Sequence, residues 1–158
     1  MDPLSALRLS PADPASPEIA SLIETHHQTG RLYYAVEDCH SLDTSAVAET
    51  GVTMYAAWLD GQAVAIAGLK DLGDGQVELK SMHTNEVARG RGVATALLDH
   101  VMQAARDAGC HTILLEAGRS DTYAAPARAL YARHGFSECP PFGDYVARPA
   151  SIFMSRRL

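Results

Sequence analysis

The chain lacks the features that mark several functional classes. It has no apolar run of the length that a membrane-spanning helix needs. Its opening residues, Met1-Asp2-Pro3-Leu4, do not follow the basic-then-apolar layout of a secretory leader. Basic residues are the minority, 13 Lys and Arg against 19 Asp and Glu, and the acids are scattered rather than clustered. A formal net charge of -6 argues against sequence-independent binding of nucleic acid, which relies on a basic face, and leans toward a cationic or amine ligand. Cysteine is scarce. Cys39, Cys110 and Cys139 are odd in number and widely spaced, so free thiols in a reducing compartment, the cytoplasm, are expected. No cysteine pair has metal-ligand spacing, and His26-His27 are adjacent rather than one helical turn apart. With no H-x-x-x-H pair beside a carboxylate, no metal site is expected. The absence of G-x-S-x-G leaves a serine hydrolase unsupported. No repeat, low-complexity tract or interdomain linker interrupts the chain.

At 158 residues the size prior gives one domain, spanning 1–158, with enough chain for a real core. The organising stretch runs from Val77 to Arg106. It reads as a strand (V-E-L-K-S-M-H-T), a short link (N-E-V-A), a glycine turn (R-G-R-G) and an amphipathic helix. Val93, Leu97, Val101 and Ala105 recur every four residues, with Leu98 and Met102 widening the stripe. Gly90 and Gly92 let the backbone turn tightly and approach a ligand. Bare N–H groups at a helix start favour an anion, as does the positive end of the helix dipole, and Arg89 and Arg91 add two cations there. The turn reads as a pyrophosphate cradle. A dinucleotide fold would need a third glycine where Thr95 stands, and its glycines directly after the strand, where Asn85-Glu86-Val87-Ala88 intervenes.

Arg89-x-x-Gly92-x-Ala94 matches the R/Q-x-x-G-x-G/A motif, and Leu130-Tyr131-Ala132-Arg133-His134-Gly135-Phe136 matches L-Y-x-x-x-G-F. In both the chain resembles the GCN5-related N-acetyltransferases, from about Thr53 onward. E-L-K-S-M, L-E-A-G, P-A-R-A-L-Y, P-F-G-D-Y and S-I-F-M narrow the likeness to a subgroup of small bacterial acetyltransferases. The resemblance implies an α/β acyl-CoA N-acyltransferase fold, with a mixed, mostly antiparallel central sheet flanked by helices. It implies acetyl-CoA as acyl donor, no metal, and a homodimer as an assembly that relatives form through their final strands. Cofactor contacts then fall on Met82, His83 and Thr84 of a splayed strand. Those of the loop fall on Arg89, Gly90, Arg91, Gly92, Val93, Ala94 and Thr95. The family's asparagine contact is missing, since Ala124 stands at its position.

Along the chain, residues 5–10 alternate weakly as a first strand. Ser16 followed by Pro17 predicts a helix over 17–29, ended by Gly30. Residues 31–52 are polar and aromatic, with a short helix over Ser45–Glu49. In the resembled family this region covers the acceptor site, and His40-Ser41-Leu42-Asp43 fits the subgroup's H-x-L-D pattern. Val52–Leu59 and Gln62–Lys70 are strands joined by an Asp60-Gly61 hairpin turn, and Leu72-Gly73-Asp74-Gly75 leads into the next. A helix over 92–108, a strand from His111 to Ala117 joined by a parallel crossover, and a helix over Ala124–His134 follow. Phe136–Cys139 and Ser151–Met154 are the last strands. The order is β–α–α–β–β–β–α–β–α–β–β.

Acetyl transfer to an amine requires a neutral nitrogen, a stabilised oxyanion and a protonated leaving thiolate. The resemblance puts Tyr131 near the coenzyme sulfur as the thiolate's acid, and the Met82 N–H at the oxyanion. For the base, Glu78 lies on the strand leading to the cofactor loop and Glu116 ends the next strand; the two strands diverge in the family, and either carboxylate could accept a proton directly or through water. His40 and His83 are further candidates because imidazole titrates near neutral pH, although the subgroup more often has arginine where His83 stands. The Phe142-Gly143-Asp144-Tyr145 loop offers a carboxylate and a phenol to an ammonium. These features predict direct transfer from acetyl-CoA to a small primary amine in a ternary complex. A non-catalytic acyl-CoA sensor and a protein N-terminal or lysine acetyltransferase are the alternatives.

Overall fold

The computed structural model describes residues 6–35, 42–49 and 51–158. It is an α/β structure in which seven strands form one sheet in the order β1-β2-β3-β4-β5-β7-β6. Antiparallel pairing joins β1 (Leu7–Ala12), β2 (Thr53–Leu59), β3 (Gln62–Gly73) and β4 (Gln76–Thr84). The turns are the glycine turns expected. Asp60 and Gly61 have φ of 49° and 79°, and Asp74 and Gly75 have 53° and 75°, the left-handed pairs that a tight hairpin requires.

Helices α1 (Pro17–Tyr33) and α2 (Thr44–Glu49) pack Ile19, Leu22, Ile23 and Val47 against Met54, Ala56 and Ile66 on one face of the sheet. The other face carries α3 (Val93–Asp107), which presents Val93, Leu97, Leu98, Val101, Met102 and Ala105. Leu130 and Tyr131 of α4 (Ala125–Arg133) join that second core. The alternation of β4 sorts its side chains accordingly: Val77 and Leu79 enter the core under α3, and Glu78 and Lys80 lie on the opposite face.

Several boundaries differ from the sequence reading: β1 runs on through Pro11 to Ala12 and β3 through Lys70 to Gly73. Helix α1 continues through Gly30 to Tyr33, closing with a bond from the Tyr34 N–H to the Gly30 carbonyl. The strand β7 (Ser151–Arg157) is longer than expected, because it pairs with β5 (Thr112–Gly118) along the whole length from Thr112–Arg157 to Gly118–Ser151. The short β6 (Ser137–Cys139) lies outside it. No helix among the described residues is long and apolar enough to cross a membrane.

Candidate active site

The sheet opens between its two parallel neighbours. β4 and β5 pair only through Gln76–Thr112, Val77–Ile113 and Glu78–Leu114, after which the strands run on without bonding each other. The gap is the floor of a cleft of about 560 Å³. Of the donor-binding residues expected from the sequence, Met82, His83, Thr84, Arg89, Gly90, Gly92, Val93, Ala94 and Thr95 all line it. Arg91 is exposed and does not.

The glycine turn has the geometry its sequence demands. Gly90 and Gly92 adopt φ of 73° and 80°, and Gly92 caps α3 in the left-handed region. The Ala96 N–H bonds to the Gly92 carbonyl, so the amides of Val93, Ala94 and Thr95 precede the helical ladder. Arg89 donates from Nε to the Thr84 carbonyl at 3.1 Å, tying the turn to the end of β4. Amides, dipole and guanidinium together make this end of the cleft an anion site.

A bulge shapes the middle of β4. Ile66 pairs with His83 and Gly68 with Lys80, so Ser81 and Met82 together face Ala67. Ser81 takes φ of 54°, which for a residue with a Cβ costs roughly 1–2 kcal/mol. The inserted residue reverses the alternation. Met82 packs against the core under α3, and His83 turns to the α1 face, where its ring meets His26 edge-on at 5.4 Å. Burial and the neighbouring Arg89 hold the His83 pKa down at about 4. Burial, His83 and His27 hold that of His26 at about 3. Both imidazoles are neutral at neutral pH, and such weak bases are poorly matched to removing an ammonium proton.

On the same face lies a charged cluster. Lys80 Nζ sits 3.2 Å from Glu78 Oε2 and donates to the Tyr145 hydroxyl at 3.0 Å, while that hydroxyl donates to Glu78 Oε2 at 2.7 Å. Glu78 is buried at 3% exposure, and Lys80 and Tyr145 supply the partners that a carboxyl group needs there. Burial, then the charge of Glu78 and its hydrogen bond, push the Tyr145 phenol well above its usual pKa, and it remains a donor. Across the gap Glu116 accepts from the Ser151 hydroxyl at 3.0 Å. Glu78, Lys80, Glu116, Tyr145 and Ser151 all line the cleft.

Tyr131 lies on the opposite wall, buried in the core under α3 and α4 and lining the same cleft. Its ring tilts against Phe136 at 5.7 Å. Burial, and Tyr123 nearby, raise its pKa well above the ordinary phenol value, so it carries its proton throughout the physiological range. His40 lies outside the described residues. Asp144 is exposed and does not line the cleft, whereas its neighbour Tyr145 does.

Sequence reading missed His26, Tyr34, Lys80, Ser81, Tyr123 and Ser151 as cleft residues. Lys80 had a signal, since it stands two residues after Glu78 on one strand and must share its face. The others come from helix α1 and its C-terminal cap, the β4 bulge, the start of β7 and the loop before α4, which only the fold brings together. Tyr34 packs so closely on Gly118 that a Cβ there would overlap its phenol. Tyr33 stacks on Tyr123 at 4.2 Å. Among the described residues, no group of three His, Cys, Asp or Glu side chains is gathered to hold a metal ion.

A family model described as "Acetyltransferase (GNAT) family" matches residues 18–136. The chain is 37% identical over 147 residues to the uncharacterised N-acetyltransferase YedL of Escherichia coli (strain K12), covering 92% of this chain and 91% of that one. It is similar in structure to an acyl-CoA N-acyltransferase from Klebsiella pneumoniae, with a TM-score of 0.79 and 26% identity over 96% of this chain and 97% of the other. A GNAT family acetyltransferase from Elizabethkingia anophelis, with acetyl-CoA bound, superposes with a TM-score of 0.73 at 14% identity, over 98% and 99% of the two chains. With the glycine turn, the splayed strands and the cleft between them, these likenesses place the chain in the GNAT family as an acetyl-CoA-dependent acetyltransferase.

Proposed function

We propose that residues 1–158 act as one domain that moves the acetyl group of acetyl-CoA directly to a small primary amine, in a complex holding both. The observation that carries this reading is the opposition of chemistries across one cleft. An anion-binding turn lies at one end. A protonated Tyr131 lies on the wall under α4, and the carboxylates Glu78 and Glu116 lie on the face under α1.

In this reading the amides and Arg89 hold the donor's pyrophosphate, and Met82, His83 and Thr84 run beside its pantetheine arm. The two carboxylates take different parts. Glu78 is tied to the Lys80 cation and the Tyr145 hydroxyl, an arrangement suited to fixing charge rather than to shuttling a proton. Glu116 receives a neutral hydroxyl from Ser151, and we assign it the role of base, directly or through a water. The freed amine attacks the thioester carbon, the C–S bond breaks, and Tyr131 donates its phenolic proton to the departing thiolate. A direct attack needs no acyl-enzyme, and neither Cys110 nor Cys139 lines the cleft. A free amino acid or another small amine fits this chemistry. The free thiols of Cys110 and Cys139 fit a reducing cytoplasm, and a homodimer through the final strands fits the exposed β6 edge.

The test is a panel of small amines and amino acids scored for coenzyme A release. Release that depends on an added amine and falls by about 10²-fold or more in Tyr131→Phe and in Glu116→Gln supports the reading. Binding of acetyl-CoA with no amine-dependent release would replace it with a sensor.

A further inference from the structure

Ser81 is the residue of the cleft whose presence the fold does not explain. It sits at the β4 bulge with φ of 54°, where glycine would be free of strain. Ser81 is buried, at 7% exposure, and its Oγ has no hydrogen-bond partner among the described residues. The hydroxyl therefore does not hold the bulge together. It adds a second cost, an unmet donor, to a backbone already strained. Ser81 also lines the cleft, immediately before Met82 and just beyond the last residue pair that joins β4 to β5.

Resting on the acetyl-transfer reading above, we propose that the Ser81 hydroxyl is a second hydrogen-bond donor to the thioester carbonyl oxygen, beside the Met82 N–H. Buried hydroxyls in native structures have partners, and the carbonyl of an acyl-CoA entering this cleft offers one. Its acetyl end must lie in the gap between β4 and β5 if its pyrophosphate lies at α3. When the amine nitrogen bonds to the carbonyl carbon, the C=O electron pair moves onto oxygen. A hydroxyl that rotates to suit its partner, in a site shielded from water, stabilises that developing charge. As the oxyanion collapses the pair returns, the C–S bond breaks, and the thiolate leaves with a proton. Ser81 neither gains nor loses its own.

The experiment compares the wild type with Ser81→Gly and Ser81→Ala, using acetyl-CoA and its carbonyl-free thioether analogue S-ethyl-CoA as probes in calorimetry. Thermal melting controls for folding. Ser81→Gly relieves the strain at φ 54° and should melt no lower than the wild type. The expected result is a wild-type preference for acetyl-CoA over S-ethyl-CoA that falls roughly tenfold in both variants, to what the Met82 N–H alone supplies, while S-ethyl-CoA affinity is unchanged. Turnover with the fastest amine of the panel should fall about 10²-fold. A preference as large in Ser81→Gly as in the wild type, or an equal loss of affinity for both probes, overturns the proposal. If the wild type binds neither probe, the acetyl-transfer reading itself fails and the role of Ser81 falls with it.

Discussion

The hydroxyl of Tyr145 donates to Oε2 of Glu78 at 2.7 Å although the two residues are 67 positions apart. The bond clamps the loop between β6 and β7 onto the middle of β4. Tyr145→Phe leaves the ring and its contacts with Phe142 and Phe153 in place and removes only the hydroxyl, which donates to Glu78 and accepts from Lys80. Loss of a hydrogen bond to a charged group should cost about 1–3 kcal/mol, read as a lower denaturation midpoint with unchanged m-value. If the loop also covers the amine site, KM for the amine should rise more than that for acetyl-CoA.

Lys80 answers for the charge of Glu78. Lys80→Met strands a buried carboxylate, and breaking such a pair costs about 3–5 kcal/mol. The double substitution Lys80→Met with Glu78→Gln should recover much of that loss. A double-mutant cycle by chemical denaturation measures it, and additive effects would show that the pair is not coupled.

The two inward histidines set an acid limit on stability. His26 and His83 titrate near 3 and 4 in the fold, against 6.5 when exposed. The unfolded chain therefore binds more protons than the native one between about pH 6.5 and pH 4. Their contribution is complete above pH 6.5 and drains away as the pH falls through that window. Melting temperature should decline with acidification from pH 6.5, and His83→Phe should flatten the decline. A slope identical to the wild type's would show that the histidine is solvated.

Gly118 has no room for a side chain. Gly118→Ala drives a methyl into the Tyr34 phenol, so α1 must shift from β5, at a cost of about 1–3 kcal/mol. Adding Tyr34→Ala should return part of the lost melting temperature. Gly92→Val tests the other end of the cleft. At φ of 80° a branched side chain is strained and covers the turn's amides, and acetyl-CoA binding by calorimetry should fall at least tenfold.

What could be read from the sequence is what local chemistry dictates. Asp60-Gly61 marks its own turn, and the four-residue period of Val93 through Ala105 marks both α3 and the face it buries. Gly92 signals the anion site because few other residues tolerate its φ. Elements settled by distant partners were less legible. Gly30 reads as a helix end, a propensity effect of about 1 kcal/mol. It is overridden as Tyr33, one turn on, stacks on Tyr123 of the loop between β5 and α4. Register was illegible too. Nothing in E-L-K-S-M-H-T says that Ser81 doubles up with Met82 opposite Ala67, yet that extra residue decides which way His83 faces. Glu78 and Glu116 are recognisable as strand acids, but their difference lies in Lys80, Tyr145 and Ser151, contributed from two strands and a loop.

The three residue pairs that join β4 to β5 also bear on how the sheet exchanges with water. Beyond Glu78 and Leu114 the facing margins of both strands are sheet edges placed in the interior of the molecule. Exposed edges elsewhere invite another chain to add a strand; these can be filled only by something slender enough to enter the cleft. Amide-bearing pantetheine is such a filler. The hydrogen exchange of Leu79–Thr84 and Leu115–Gly118 should therefore report occupancy, slowing when acetyl-CoA enters while the β1–β2 pairing remains as it was.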